Sequence, residues 1–458
     1  MQSFDLGSFV QLTFSGCVRL SLNSWRASVS MREIGRVSLT PLDTRRSLAK
    51  LVYILVALLL AVVVVGCAPR ADKDKVVLWT AFEGAELETL RERIDAYQKE
   101  SGHEVTLLKV PFPSLQRKVL VAGPALQGPD VLVGPHDWIG ILQTADLLAS
   151  IPEDIVKPGD ERFYSVAVNA VQYDGAVYSA PMMMECVVLV RNTDLVPQRP
   201  EDLDELVRMA KECQRGETLG FAYRPDDFYF TWAFMAGFGA DFLAPFKTKD
   251  LDLDKINFNT PEAVEGADWV AALQQKYKLI PPGMENQTAV DLFLNKRLGM
   301  MLCGPWNLGA IRKAGIPYVL EPIPPGPKGD SSPFVGVTGA MMSRYSTDKA
   351  GVKELVAFLS SAETGNLLCQ ASGRAPTRKD TAKLLEEQVT DPAISRDLNL
   401  FSEAAQHGTP LPNHPAMAPV WASMKTALEL ITTGQTPAGE ELERTTERVR
   451  TKIRFMTE

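Results

Sequence analysis

The stretch VVLWTAFEGAELETLRERIDAYQKESGHEVTLLKV, residues 76–110, decides the fold class. Its apolar ends, Val76 to Trp79 and Val105 to Val110, have the length and composition of buried β-strands. Between them, Glu86 to Ser101 has the periodicity of an amphipathic helix, and Gly102 is expected to end it. A strand, a helix and another strand in succession indicate a mostly parallel sheet covered by helices.

The same alternation continues along the chain. Pro113 to Ala122 is predicted to be helical and Asp130 to Val133 to be a strand, and the rhythm resumes after residue 186 and at Gly299 to Cys303. The chain has 458 residues, whereas a compact domain usually contains on the order of 150. We therefore expect an α/β protein of two lobes, each a mostly parallel sheet flanked by helices.

Composition restricts the possible functions. With 45% hydrophobic and 23% charged residues the chain is typical of a folded protein, and its net charge of -8 opposes binding to nucleic acid. It contains no GxGxxG, P-loop or GxSxG motif, and its four His residues lack the spacing of metal ligands. We expect no cofactor, no metal and no nucleic-acid partner.

The N-terminal region has the layout of an export signal. Leu51 to Gly66 is a run of sixteen uncharged residues preceded by Arg45, Arg46 and Lys50. This run is shorter than the roughly 20 residues that a helix needs to cross a bilayer. A short signal-anchor helix is the alternative, and both interpretations place residues 68–458 outside the cytoplasm. Export through the twin-arginine route is a further possibility, since Arg45 and Arg46 are adjacent.

Val64-Val65-Gly66-Cys67 resembles a bacterial lipobox, in which the Cys thiol is acylated and the leader is cut just before it. Residues 1–66 are then a signal peptide, with translation expected to start at Met31, and residues 67–75 form a lipidated tether. The prediction is a periplasmic or cell-surface lipoprotein held to the membrane through Cys67.

Four further cysteines, Cys186, Cys213, Cys303 and Cys369, follow the leader. Their spacings match no CxxC or metal pattern, and the apolar residues around Cys186 and Cys303 indicate small buried side chains. Free core thiols are the favoured interpretation, with disulfides, which an exported protein can form, as the alternative.

Aromatic residues and carboxylates follow many of the predicted strands, where open α/β sheets bind ligands. Examples are Glu83 after Trp79, Asp137 with Trp138, and Trp306. In the same pattern, Glu185 lies just before the predicted strand at Val187, Asp227 with Tyr229 precedes a Gly-rich turn, and Trp421 opens a late helix. A sugar presents an apolar face that stacks on an aromatic ring and a rim of hydroxyls that bond to carboxylates. These residues therefore predict a sugar site.

Short motifs in a fixed order then carry a family resemblance. They are Gly128 to Val133 with His136-Asp137, Tyr173 to Gly175 through Tyr178 to Pro181 and Glu185, Arg191-Asn192, Tyr229 to Trp232, Met300 to Trp306, and Phe334 to Val337. From about Val76 to its C-terminus the chain resembles the maltose/maltodextrin-binding proteins of bacterial ABC importers, which belong to the family 1 extracellular solute-binding proteins.

The resemblance implies the type II periplasmic-binding-protein fold, in which a monomer without enzymatic activity closes two lobes over a carbohydrate and presents it to a membrane permease. It assigns ligand binding to Trp79, Glu83, Asp137, Trp138, Glu185, Asp227, Tyr229, Trp306, Trp421 and Lys425. Asp227 stands where Glu is usual and Lys425 where Arg is usual. The family's first-lobe Trp falls at Gly134, and a second-lobe Tyr falls at Asn286, so the size and linkage of the sugar stay open.

The same resemblance implies three hinge crossings, near Met184 to Val187, Phe334 to Gly339 and Gly373 to Thr377. Lobe one is expected to contain residues 76–184 and 340–375, and lobe two residues 186–335 and 376–458. Gly336 and Gly339 suit a strand whose backbone angles change on closure, although ordinary bulge or turn glycines are an equal alternative.

Two rival functions stay open. A secreted glycoside hydrolase could use Glu185 and Asp227 as an acid–base pair, but the chain lacks eight evenly spaced β/α units. Alternatively, the same fold could bind another solute, such as a different sugar, a glycerol phosphate, a polyamine or iron.

Overall fold

The computed structural model describes residues 75–247, 249–347 and 349–457. The predicted leader, Cys67 and the tether up to residue 74 lie outside the described residues. The strands are β1 Val76–Thr80, β2 Val105–Lys109, β3 Val131–Pro135, β4 Leu148–Ala149, β5 Gln172–Tyr173, β6 Ala176–Val177, β7 Ala180–Glu185, β8 Val188–Asn192, β9 Leu219–Ala222, β10 Leu298–Cys303, β11 Tyr318–Glu321, β12 Phe334–Ser343, β13 Ala375–Pro376 and β14 Thr409–Pro410.

The α-helices are α1 Gly84–Ser101, α2 Phe112–Ala122, α3 Ile139–Thr144, α4 Ser165–Ala170, α5 Leu203–Cys213, α6 Phe228–Gly237, α7 Pro261–Gln275, α8 Asn286–Leu294, α9 Leu308–Lys313, α10 Val352–Leu359, α11 Ala362–Ser372, α12 Lys379–Gln388, α13 Pro392–Gln406, α14 Met417–Thr432 and α15 Ala438–Thr457. Short 3-10 turns occupy His136–Trp138, Ala244–Lys247, Leu253–Lys255, Pro305–Asn307 and Arg344–Ser346.

The opening βαβ unit forms as its sequence predicts. Helix α1 ends where Gly102 adopts φ 75°, a left-handed conformation that Gly reaches without steric penalty. Strand β1 then pairs in parallel with both β2 and β3. The predicted helices α1 and α2 each begin within two residues of the expected position.

Two sheets form the cores of the two lobes. The first sheet has the order β13-β7-β12-β3-β1-β2, and the second has the order β11-β8-β10-β9. Both are mixed, because β12 runs antiparallel between β3 and β7, and β8 runs antiparallel to β10 and β11. The predicted two-lobed α/β architecture is confirmed, but the prediction that each sheet is mostly parallel is wrong, because antiparallel pairings outnumber parallel ones in both sheets.

The crossings orient the two sheets toward each other. Strand β7 passes through Cys186 and Val187 directly into β8, so the carboxyl end of β7 faces the amino end of β8. The carboxyl ends of β1 and β3 lie at the same edge as that of β7, and those of β9 and β10 lie at the facing edge. The loops after these strands consequently line one cleft.

The helices divide between the sheets and a separate helical layer. Helices α6, α7, α14 and α15 bury a second apolar cluster that includes Phe334 of β12. Helix α13 contacts β7 and β13 of the first sheet and β11 of the second. Helix α12 packs against α11, although the predicted boundary at residues 375–376 assigns α11 to lobe one and α12 to lobe two. The exact lobe boundaries stay a prediction.

The four described cysteines are free, as favoured from the sequence. Cys186, Cys303 and Cys369 are buried, and burial raises the pKa of each thiol. These residues are therefore neutral apolar parts of the core. Within residues 75–457 as described, none of the helices is both long and apolar enough to cross a membrane.

Candidate ligand-binding site

The turn after β3 supplies the first part of the cleft. Asp137 is half-buried there, and burial, reinforced by the Glu185 carboxylate, raises its pKa from 3.8 to about 6. Its neighbour His136 is fully buried and fastens the turn. Val337 N donates to His136 Nδ1 at 2.9 Å, so Nε2 carries the ring proton and donates to the Leu411 carbonyl at 2.9 Å. His136 was missed from the sequence as a positioning residue, although it directly precedes Asp137.

A cluster of three charged side chains lies beside this turn. Arg374 Nε is 2.5 Å from Glu185 Oε2, and Arg374 Nη1 is 2.9 Å from Glu86 Oε1. Burial raises the pKa of Glu86, and the Arg374 charge opposes that rise. All three side chains are at most 20% exposed, so their ion pairs are shielded from solvent. Sequence reasoning placed Glu185 here but missed Arg374 and Glu86; the signal for Arg374 was its position in the third predicted crossing.

Glu83 lies at the outer part of the same edge. It follows β1, is exposed, and forms an ion pair of 2.7 Å with Lys109 at the end of β2. We call Glu83, Glu86, Asp137, Glu185 and Arg374 together the first-lobe wall. This wall can accept hydrogen bonds from hydroxyl groups through several carboxylate oxygens.

The opposite side of the cleft is aromatic. Tyr229 lies 6.4 Å from Trp306 and 6.2 Å from Phe334, and Phe334 lies 5.6 Å from Trp421, all between ring centroids. Trp306 is 45% exposed although it is a large apolar side chain. We call Tyr229, Trp306, Phe334 and Trp421 the second-lobe wall. Phe334 is fully buried, so the exposed Trp306 ring and the partly buried Trp421 ring are the parts of this wall that offer stacking surface.

Buried rings support the second-lobe wall from behind. Trp232 stacks on Phe334 with centroids 5.1 Å apart and planes 14° apart, and Phe228 contacts Trp421 at 5.4 Å. Both supporting rings are at most 3% exposed. They lie on α6, in which Tyr229 directly follows Phe228 and precedes Trp232 by about one turn.

Asp227 is the N-cap of α6. Its Oδ1 accepts a hydrogen bond from Tyr229 N at 3.1 Å, and its Oδ2 accepts one from Asn286 Nδ2 at 3.1 Å. Burial raises its pKa. Asn286, which stands where the family resemblance implies a Tyr, therefore holds this carboxylate in place.

Tyr229 connects the two walls. Its hydroxyl is buried, and within the described part of the chain it has no hydrogen-bond partner. Burial raises the pKa of Tyr229 well above its ordinary value, and the Glu185 carboxylate adds to the rise, so the group is a neutral O–H donor. Leaving a buried hydroxyl without a hydrogen-bond partner costs about 1–3 kcal/mol of free energy. A ligand oxygen that accepts a hydrogen bond from Tyr229 would remove this cost.

Two predicted tryptophans are interior residues of the first lobe. Trp79 is 4% exposed and its ring lies under Lys118 Nζ at 4.7 Å, so the structure does not bring it to the cleft. Trp138 is 7% exposed, and Phe112 packs on it with centroids 5.5 Å apart. Lys425 is exposed on α14, one turn after Trp421.

Gly336 and Gly339 are buried in β12, and neither has a positive φ. A Cβ at Gly336 would lie 3.2 Å from Glu185 Cγ, and one at Gly339 would collide with Ser179 Oγ. The pairing of β12 with β7 also shifts register between Thr338 and Gly339. Close packing and a bulge explain both glycines, and their part in a hinge stays a prediction.

In the part of the chain that the structure describes, no group of three or more His, Cys, Asp or Glu side chains is arranged to hold a metal ion. The two walls instead combine carboxylates with aromatic rings across a cleft between lobes, and Trp306 is the most exposed of these rings. Residues 92–397 match the family described as bacterial extracellular solute-binding protein. The chain belongs to this family.

Relatives of known name support the assignment. The galactooligosaccharide-binding protein of Bacillus subtilis is 26% identical over 85% of this chain and 93% of its own length. The maltotriose-binding protein of Pyrococcus abyssi is 29% identical over 79% and 78% of the two chains. A maltooligosaccharide ABC transporter solute-binding lipoprotein of Streptococcus pneumoniae is 25% identical over 76% and 82%.

Among solved structures, a cyclo/maltodextrin-binding protein complexed with maltotetraose superimposes with a TM-score of 0.74. It is 29% identical and covers 85% of this chain and 99% of its own length. This solute-binding protein therefore shares its fold with periplasmic sugar-binding proteins.

Proposed function

We propose that this solute-binding protein holds an oligosaccharide of the maltodextrin type between its two lobes and delivers it to the permease of an ABC transporter. The observation that carries the proposal is the pairing across one cleft of the Glu185 carboxylate with the exposed Trp306 ring and the buried Tyr229 hydroxyl, which has no hydrogen-bond partner among the described residues. Such a pairing suits a ligand that has both an apolar face and a polar rim.

Each wall has its own part in this binding. The Trp306 and Trp421 rings stack on the apolar faces of successive sugar units, and the rings of Tyr229 and Phe334 pack against them and limit their movement. Asp137 and Glu185 accept hydrogen bonds from sugar hydroxyls. Tyr229 donates to a sugar oxygen at the floor of the cleft. Both walls are engaged in the closed form alone, so the ligand shifts the population toward closure.

The named relatives support a sugar ligand and leave a choice of sugar. Two are named for maltotriose or maltooligosaccharides and one for galactooligosaccharides. The walls carry no cluster of unpaired cations, because Arg374 is bound to Glu86 and Glu185. A phosphate ester is accordingly a weaker candidate than a neutral sugar.

A hydrolase is disfavoured by the contacts of its two candidate carboxylates. Glu185 is ion-paired with Arg374, and Asp227 caps α6 while it accepts from Asn286. A general acid or base needs its oxygen free to approach the scissile bond. We infer that the protein binds without chemical turnover.

We also propose that the protein is a monomer with Cys67 as its lipid anchor, which keeps the binding lobes near the permease. The name of the streptococcal relative, a lipoprotein, supports this inference. Changing Cys67→Ala is expected to move the exported protein from the membrane fraction to the soluble fraction. A variant that stays wholly in membranes would instead point to an uncleaved signal anchor.

The test of the ligand is a thermal-shift screen of purified residues 68–458, followed by calorimetry and product analysis. The panel contains maltose, maltotriose, longer maltodextrins, galactooligosaccharides, a polyamine, a glycerol phosphate and ferric ion. We expect maltodextrins to raise the thermal midpoint without being converted to products, because a ligand that binds only the folded state stabilises that state. A shift with another solute and silence with maltodextrins would overturn the sugar assignment.

A further inference from the structure

Phe112 is an exposed ring at the cleft edge of the first lobe. It is the first residue of α2, which follows the carboxyl end of β2, and its side chain is 58% exposed. Isolated exposed apolar residues are common and need no explanation. Phe112 differs from these because a second aromatic ring from another loop lies against it.

That second ring belongs to Trp138, which follows the carboxyl end of β3. The ring centroids are 5.5 Å apart and the planes are inclined by 35°. Strand β1 lies between β3 and β2 in the sheet. The Phe112 side chain, which follows β2, therefore extends across the end of β1 to contact Trp138. Trp138 is 7% exposed, so the phenyl ring is the aromatic surface that this pair presents to solvent.

The local sequence holds this ring in a narrow range of positions. Pro111 and Pro113 flank Phe112, and Pro111 at the N-cap has φ -54°. Proline fixes backbone φ, so the chain on both sides of Phe112 loses little freedom when a ligand binds. Gly134 below the pair lacks a Cβ, which would lie 3.3 Å from the Trp138 ring. The glycine thus leaves room for Trp138 under Phe112.

We propose that Phe112, supported by Trp138, is the first-lobe stacking surface for an outer unit of the bound oligosaccharide and sets the preference for chain length. Strand β3 lies two strand positions from β7, which carries Glu185. At about 4.8 Å per strand this separation is about 10 Å. A unit in contact with Phe112 is therefore remote from one in contact with Glu185, and a disaccharide held near Glu185 leaves Phe112 unused. The inference rests on the proposed sugar-binding function.

The experiment measures calorimetric affinity of the wild type and of Phe112→Ala for maltose, maltotriose and maltotetraose. The variant is expected to lose about three- to tenfold in affinity for maltotetraose, the range of one aromatic contact, and less than about twofold for maltose. Phe112→Trp should retain the affinity for the long ligand. Phe112→Leu, which keeps apolar area without a ring, should lose most of it.

Two controls separate ring stacking from general loss of exposed apolar surface. Val121→Ala truncates a side chain that is 73% exposed on the same helix, and Phe455→Ala removes a ring that is 75% exposed on α15. Both should leave every affinity unchanged. The thermal midpoint of free Phe112→Ala should stay within a few degrees, because its ring is mostly in solvent.

The outcomes distinguish this inference from the proposed function. Wild type that binds maltodextrins, with a Phe112→Ala variant that is unchanged or equally weakened at all lengths, overturns the role of Phe112 alone. If the wild type binds galactooligosaccharides instead, the same length series in that sugar decides the role of Phe112. Wild type that binds no sugar overturns both.

Discussion

The first-lobe wall and the second-lobe wall are held in place by different forces. In the first, Arg374 joins Glu86 and Glu185 through ion pairs of 2.9 and 2.5 Å. In the second, Trp306 and Trp421 belong to a ring cluster centred on Phe334. Packing among rings does not depend on pH, whereas charge pairing does. A change in pH should therefore alter the stability of the first-lobe wall and leave that of the second-lobe wall nearly unaltered.

The adjacent residues His136 and Asp137 illustrate this dependence with opposite signs. Burial lowers the pKa of His136 to about 4, and burial raises that of Asp137 to about 6. On acidification from pH 6.5 to 4 the unfolded chain gains a proton at His136 that the folded chain lacks, which destabilises the fold. Over a similar range the folded chain gains one at Asp137 before the unfolded chain does, which stabilises it. The two contributions largely cancel.

The largest effect is expected from Trp306→Ala in the second-lobe wall. Loss of a stacking Trp at a binding centre weakens binding by at least about 2 kcal/mol, or roughly 30-fold. The thermal midpoint of the free protein should change by a few degrees at most, because the ring is 45% exposed. Calorimetry with maltotriose and a melting curve give the two values. Collapse of folding would show that Trp306 is a core residue.

The corresponding change in the first-lobe wall is Arg374→Met, which keeps most of the side-chain volume. It leaves Glu86 and Glu185 facing each other without a cation, and breaking a buried pair typically costs about 3–5 kcal/mol. Because all three groups retain some solvent contact, we expect about 2 kcal/mol from denaturant unfolding at pH 7.5. Adding Glu86→Gln should restore part of the stability. An Arg374→Met variant as stable as wild type would mean that the ion pairs contribute nothing.

The sequence predicted the parts of both walls that depend on local pattern. Asp137 and Trp306 were assigned because they follow strand ends, which can be recognised from neighbouring residues alone, and Glu185 was assigned from its place at the first predicted crossing. The pairing of Arg374 with Glu86 could not be predicted, because Glu86 lies on α1 and Arg374 follows α11, two segments far apart in the chain whose packing depends on the complete fold. The antiparallel course of β12 has the same non-local origin.

Side-chain direction was the other limit. Trp79 was assigned to the cleft because it is close to the end of β1, but a strand directs alternate side chains to opposite faces. The face that Trp79 occupies is covered by α2 and Lys118. Phe112 was overlooked for the opposite reason, since a Phe between two prolines has no strand or helix periodicity that marks it as functional.

Asp137→Asn tests the pH dependence of the first-lobe wall. The carboxylate form is disfavoured by burial, so the change should raise the free energy of unfolding at pH 7.5, by at most about 3 kcal/mol for a shift of about 2 units. The advantage should vanish near pH 3.5. Between pH 6.5 and 4 the variant should lose stability on acidification more steeply than wild type, because the contribution of His136 is no longer offset.

The same variant should bind sugar more weakly. A hydrogen bond to a charged group contributes about 1.5–3 kcal/mol, and the amide of Asn replaces one acceptor oxygen by a donor. Affinity measured at pH 7.5 and 5 should differ less in Asp137→Asn than in wild type. Unchanged affinity at pH 7.5 would remove Asp137 from the site, whatever its effect on stability.

The smallest effect is expected from Glu83→Gln, at the exposed end of the first-lobe wall. Glu83 and Lys109 are 70% and 40% exposed, and such surface pairs contribute about 0–1 kcal/mol to stability. We expect a change of that size in unfolding free energy, reduced further in 0.5 M salt, since salt screens exposed charges. The contribution of Arg374 should persist in the same salt because its partners are shielded. Equal losses of stability in Glu83→Gln and Arg374→Met, with the same salt dependence, would show that the whole first-lobe wall is solvated. The two walls would then differ in their residue types and not in how strongly their contacts are shielded from solvent.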